Sequence, residues 1–331
     1  MNSQPLVSVV IPSYQHAAYV QRAVESVLEQ TVKDIEVIVV DDGSTDGTPD
    51  IVSRIPDPRL RLIRCAENRR EHARNLGLGM ATGRYVAFQN SDDEWSPDKL
   101  AQQLNVLEDR PEVGASFTEV VIIDGTGLPA ANTWATGIFS DGKTKPSAEE
   151  WLRAFFKGNC LCISSAVVRH HLLDRIGIFR PSLVTLSDLD MWIRFAAISE
   201  LDVMPEPLTF MRVDGDRNLS GPGETKAVRT MFEMVDVLEN FARPPLLHRL
   251  PTLFPDANLA AKQDPIVNLA LFAGYAAANG GLAHRFLADR VLSRLIDDPE
   301  NRKKIVDACG SGAIKFFWQN RSKLIAVSTK K

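Results

Sequence analysis

Three acids stand in a row at Asp92-Asp93-Glu94, directly after the apolar run "YVAFQ" and the pair Asn90-Ser91. Adjacent carboxylates repel one another unless something offsets their charge. A second acidic pair, Asp41-Asp42, closes another apolar run, "IEVIVV", and leads into Gly43-Ser44. Carboxylates gathered where buried strands stop suit a hard divalent cation, Mg2+ or Mn2+. One or two of them would hold it together with the phosphates of a ligand. A nucleoside diphosphate carries such phosphates, and a metal there would neutralise charge as the diphosphate departs. Asp41 or Asp42 would accept hydrogen bonds from a base or ribose. Taken singly, Asp41 to Ser44 reads equally well as a turn, and Asp93-Glu94 as the charge of a helix start. Two such clusters ending two neighbouring strands favour the ligand.

The elements that must position these acids alternate. "LVSVVIP" reads as a strand buried on both faces. Val20, Ala23, Val24, Val27 and Leu28 then mark one apolar helical stripe. "IEVIVV" is a second strand, and Thr48 with Pro49 reads as a helix cap and first turn. "LRLIR" gives a third strand, "EHARNLGLGMATG" a helix ended by Gly83, and "RYVAFQ" a fourth strand. Ser96 and Pro97 read as the next helix start. This alternation predicts a mainly parallel α/β sheet flanked by helices, which binds ligands beyond the carboxyl ends of its strands. Pro12-Ser13-Tyr14, Asp41 to Ser44 and Asn90 to Glu94 would meet there.

Past residue 110 the alternation weakens. Residues 124–147 read as a loop, "SDLDMWIRFAA" as a helix capped near Ser187, and "PLTFMRV" as a last strand. Beyond about residue 220 helical patterning dominates, with a hairpin at Asn279-Gly280-Gly281. We therefore expect a nucleotide-binding domain over residues 1–220 and a helical region over 221–331.

Composition excludes several classes. Lys+Arg is 38 against 42 Asp+Glu, a net charge of −4, which gives no support to nucleic-acid binding. The four cysteines show neither Cys-x-x-Cys nor zinc spacing, as expected of reduced thiols in a cytoplasmic protein. No signal peptide is expected, nor an apolar run of the roughly 18–20 residues that span a membrane. The first loop, "PSYQHAAYV", lacks the glycine fingerprints of dinucleotide-binding and P-loop folds. It also lacks the Gly-rich basic loop of a nucleotidyltransferase.

"VSVVIPSYQHAAYVQRAVESVLEQT", "VDDGSTDGT", "ARNLG", "SDDEW" and "SDLDMWIRFA" together resemble the family-2 inverting glycosyltransferases of the GT-A fold, in that family's order across roughly residues 5–220. The resemblance implies sugar transfer from a nucleotide-diphosphate donor, with inversion. It implies that Pro12, Ser13, Tyr14, Asp41, Asp42 and Arg74 lie on the donor. Asn90, Asp92 and Asp93 would hold ribose and metal, the metal falling to Asp92 and Asp93, and Ser91 would also lie on the donor. Asp188 would be the general base on the acceptor hydroxyl. Asn90 stands where the family usually has Asp, Ser187 where it has Glu, and Asp214 where it often has His. Asp214 is thus a candidate ligand that restores the charge lost at Asn90. These departures also leave open a non-catalytic, sugar-nucleotide-binding homologue.

Trp95, next to the acidic row, is a candidate contact for donor or acceptor. Trp192 and Phe195 read as core. The family's habits point to a UDP-sugar donor and a saccharide or lipid-linked acceptor in surface polysaccharide synthesis. The tail, residues 311–331, is basic and aromatic without acids. It suits either a terminal helix packed on its own domain or peripheral contact with the inner face of a membrane.

Overall fold

Burying both faces turns each β-branched run into a central strand. In the computed structural model these are β1 (Val7–Ser13), β2 (Ile35–Asp41), β3 (Leu60–Arg64) and β4 (Tyr85–Phe88), alternating with α1 (Val20–Leu28), α2 (Thr48–Ser53) and α3 (Glu71–Met80). The structure describes residues 4–68, 71–131, 133–139, 147–215, 221, 223–260 and 262–328. There follow β5 (Glu94–Trp95), α4 (Lys99–Asp109), β6 (Val113–Ile123), α5 (Ala148–Phe155), β7 (Val167–Arg169), α6 (His170–Ile176), α7 (Ser187–Ala196) and β8 (Glu200–Arg212). The strands form one sheet in the order β3-β2-β1-β4-β7-β6-β8-β5. Its first half is parallel as expected. Its second half is mixed, because β7 runs antiparallel to both β4 and β6 while β6 and β8 are parallel.

The apolar stripe of α1 is buried as its spacing predicts. Each Val or Leu so buried contributes about 1.5–3 kcal/mol. Helix α3 lies so close to β1 that a Cβ on Gly77 would meet Val10 Cγ1 at 2.5 Å. Three local expectations shift. Thr48 does not cap α2 with its side chain; it donates to Asp46, and Gly47 precedes the helix at φ +89°. Helix α4 begins at Lys99, after Ser96 and Pro97, because residues 94–95 first pair with β8. Strand β5 was not legible in the sequence.

The chain divides into two compact units. The first holds the sheet, up to Trp151 and again over Asn159–Lys226; the second takes Leu152–Gly158 and the residues from Ala227 on. The expected boundary at 220 lies outside the described residues. The remaining helices are α8 (Glu224–Leu238), α9 (Leu250–Leu253), α10 (Pro265–Asn279), α11 (Leu282–Asp297), α12 (Pro299–Cys309) and α13 (Gly312–Ser328). Helices α10 and α11 form the expected hairpin. Helix α13 buries Phe317, Asn320 and Leu324, and Arg321 pairs with Asp289 of α11 at 2.9 Å. Lys315, Trp318 and Lys323 face outward. Among the described residues no helix is long and apolar enough to cross a membrane.

Candidate active site

Strands β1 and β2 end side by side, with Ser13 opposite Asp41. Both residues are buried, and neither Ser13 Oγ nor Asp41 Oδ1 has a partner among the described residues. Asp41 Oδ2 accepts from the Ser44 amide at 3.0 Å and so shapes the turn. Gly43 occupies that turn at φ +79°, and a Cβ there would meet the Glu67 carbonyl carbon at 2.8 Å. Asp42 is buried beside it, its amide donating to the Ser13 carbonyl at 2.8 Å. Gln15 ties the two loops, accepting from the amides of Thr45 and Asp46. Pro12 is half-buried and Tyr14 exposed on the same rim.

The acidic row is bound to β8 through Arg212, whose side chain is 2 % exposed. Its Nε donates to the Asp92 carbonyl at 2.8 Å and its amide to Asp93 Oδ1 at 2.8 Å. Its guanidinium also pairs with Glu94 and donates to the Asp124 carbonyl at 2.6 Å. The guanidinium lies over the Tyr19 ring, and the Tyr19 hydroxyl donates to Asp214 Oδ2 at 2.5 Å. On the other side Ser164 Oγ donates to Asp93 Oδ2 and accepts from the Asn90 amide, while Asn90 Nδ2 donates to Asp93 Oδ2 at 3.1 Å. Ser91 is buried against the His16 ring, Nδ1 to Oγ 2.7 Å.

One expectation, at Trp95, is corrected by this bonding. Both Asp93 oxygens accept from protein donors, which makes Asp93 a buried bracket of the loop. Trp95 is 4 % exposed, donates Nε1 to the Ser164 carbonyl at 2.7 Å, and offers its face to Lys99 Nζ. It is therefore core, as Trp192 and Phe195 also are.

Burial raises the Asp92 carboxyl above the ordinary range, opposed by Arg212 and reinforced by the charge of Asp214. Burial and the adjacent Asp92 do the same to Asp93, against its three hydrogen bonds. A cation between Asp92 and Asp214 would relieve the first repulsion. Among the described residues no three His, Cys, Asp or Glu side chains gather as a metal-binding group. Two carboxylates with diphosphate oxygens completing the shell would fit Mg2+ or Mn2+.

Asp188 stands in the first turn of α7. Its Oδ2 accepts from Asn159 Nδ2 at 2.8 Å and its Oδ1 from the Leu189 amide at 2.8 Å. Burial raises its carboxyl, while these bonds and the charge of Arg74 hold it down. Arg74 lies over the Phe179 ring at 4.9 Å, and Nη1 reaches Ser187 Oγ at 3.4 Å. Asn75 exchanges two hydrogen bonds with the Phe179 backbone, so α3 fixes the approach to α7. Of the residues singled out in the sequence, the structure joins Ser13 to Asp41, Asp92 to Asp214, and Arg74 to Asp188. Sequence reading missed Arg212, Ser164, Tyr19 and Asn159. A lone arginine inside the apolar "TFMRV" was the only signal for any of them.

Comparison with known proteins bears on this geometry. The family model for glycosyl transferase family 2 matches residues 8–177, just over half of the 331-residue chain. A Bacillus subtilis glycosyltransferase named for teichuronic acid biosynthesis, TuaG, is 44% identical over 131 residues, covering 39% of this chain and 52% of that protein. The succinoglycan biosynthesis protein ExoO of Rhizobium meliloti is 37% identical over 159 residues, 47% of this chain and 43% of that one. The chain thus spans about half the length of these curated relatives. Among solved structures, S. aureus TarS 1-349 in complex with UDP-GlcNAc has a TM-score of 0.57 at 18% identity, over 95% of this chain and 88% of that one. The Pyrobaculum calidifontis mannosyltransferase PcManGT, with GDP-Man and Mn2+, has a TM-score of 0.55 at 22% identity, over 98% and 88%. These likenesses agree with a GT-A-like α/β fold. By the span and order of its matching residues, the chain belongs to glycosyl transferase family 2.

Proposed function

We propose that the protein transfers a sugar, with inversion, from a UDP-sugar to a saccharide or lipid-linked acceptor in surface polysaccharide synthesis. The observation that carries this reading is the pair of buried polar atoms, Ser13 Oγ and Asp41 Oδ1, left without protein partners at the carboxyl edge of the sheet. Buried polar atoms are nearly always satisfied, and a nucleoside edge would supply the missing donors and acceptors. The catalytic domain in this reading is residues 1–220. One relative, a glucosyltransferase of Escherichia coli named for UDP-Glc and a GlcNAc-diphosphoundecaprenol acceptor, is 43% identical over 107 residues. That name supports the donor and acceptor classes.

In this reading Asp188 takes the proton of the acceptor hydroxyl. The acceptor oxygen then bonds to the anomeric carbon as that carbon's bond to the diphosphate breaks, and the electron pair leaves on the diphosphate. Asn159 and the Leu189 amide aim the Asp188 carboxylate, and the charge of Arg74 opposes the rise that burial imposes on it. Asp92 and Asp214 would hold Mg2+ or Mn2+, which when bound would offset the charge gathering on the leaving diphosphate. Residues 311–331 are proposed to touch an anionic membrane surface, with the protein cytoplasmic.

The test pairs Asp188→Asn with wild type. UDP with Mn2+ should raise the melting temperature of both, since ligands that bind only the folded state stabilise it. EDTA should remove that rise. Transfer or donor hydrolysis should fall at least about a hundredfold in the variant only. No thermal shift with any nucleotide, or full turnover by Asp188→Asn, would sink the reading.

A further inference from the structure

Alternation along β8 sends Arg212 and the following Asp214 to one face and Met211 and Val213 to the other. The second face carries its own apolar cluster, in which Trp134 and Phe139 pack over buried Ile122 and Cys162. Cys162 follows Leu161, whose amide donates to Asn159 Oδ1 at 3.2 Å, and Asn159 Nδ2 in turn donates to Asp188 Oδ2 at 2.8 Å. The cluster therefore adjoins the carboxylate read above as the base. The Trp134 and Phe139 rings meet edge to face, 6.2 Å between centroids at 85°. Trp134 Nε1 is shielded from solvent and has no acceptor among the described residues.

A buried N–H without an acceptor costs about 1–3 kcal/mol, so such a group calls for a partner. The segment that carries it is held in place. Asp124 Oδ1 accepts from the amides of Thr126 and Leu128, and the Ala130 amide donates to the Ile122 carbonyl. The Phe139 amide donates back to the Ala135 carbonyl. The indole is thus carried by a tethered segment of the cluster that adjoins Asp188.

We propose that Trp134 is a specificity-determining residue for the acceptor: its indole N–H donates to a hydroxyl of the acceptor saccharide, whose ring lies against the Trp134 face. This rests on the reading of Asp188 as the base. An indole suits the task because it joins a broad apolar face to one fixed donor.

The test uses Trp134→Phe, which keeps the ring and removes the N–H. The five tryptophans give five indole resonances, and the one absent from the variant is that of Trp134. Adding methyl hexopyranosides to the UDP-bound, 15N-labelled protein should move that resonance. In transfer assays to the same glycosides, the variant should show an acceptor KM raised about tenfold, the size of one neutral hydrogen bond. Its donor KM and donor hydrolysis should stay at wild-type values. A resonance unmoved by every glycoside, or an unchanged acceptor KM, overturns the proposal. If the protein hydrolyses no UDP-sugar, the donor reading fails by itself, and the indole titration alone decides the role of Trp134.

Discussion

Lys99 places a primary amine wholly inside the protein, 3.9 Å above the Trp95 ring, with Gln103 Oε1 accepting at 2.8 Å. Burial lowers its pKa well below the ordinary lysine value. The unfolded chain therefore binds more protons than the folded one between that lowered value and about 10.4. Stability should rise with pH through this window and level off above it. In Lys99→Met this contribution to the slope should vanish, while stability at neutral pH changes little, because Gln103 loses its donor as the amine's desolvation is removed. Thermal melts of both proteins across the alkaline range check this; identical slopes would contradict it. At this scale the sequence was legible where a residue's role follows from its own neighbours. Asp41 and Asp42 stood in a local motif and lie at the end of β2, and Asp188 stood in another and lies in the first turn of α7. The bracketing of Asp93 and the burial of Trp95 were not legible because their partners lie 69 to 119 residues away in sequence: Ser164 and the Arg212 amide donate to the carboxylate, and the Ser164 carbonyl accepts from the indole.

At the scale of elements, the turn after β2 shows how little freedom the edge has. Gly43 combines a positive φ with backbone of Glu67 close enough to exclude a Cβ. Gly43→Ala should cost about 1–3 kcal/mol, from left-handed strain and displacement of a rigid neighbour. Because Asp41 caps the same turn, affinity for UDP should fall along with the melting temperature; calorimetric titration with UDP checks this. The strands and helices of the first hundred residues were legible because parallel strands buried on both faces leave continuous apolar runs. The second half of the sheet was not. Strand β5 is two residues long, and β7 is three. Such strands exist only because β8 and β4 offer them ladders, so no periodicity within them announces them.

For the whole molecule, charge is unevenly spread. The chain carries −4 overall, yet its last 21 residues hold five of its basic residues and no acid. Lys330 and Lys331 lie outside the described residues; Lys315 and Lys323 flank the exposed Trp318 on α13. Vesicles containing phosphatidylserine should sediment with the protein at low salt and release it as salt is raised. Trp318→Ala with both lysines changed to Gln should abolish that binding, and equal sedimentation with neutral vesicles would refute an electrostatic surface. A further consequence comes from Arg212. Its amide and its guanidinium join a loop 118 to 120 residues earlier in the chain. Contacts of such separation form only after the long intervening segment has closed on itself, at a cost in chain entropy. The parallel half of the sheet can therefore collapse first with its acidic loop unbracketed. A nascent chain would complete the proposed nucleotide site only once β8 has left the ribosome and folded back, which would tie the onset of ligand binding to the last strand made.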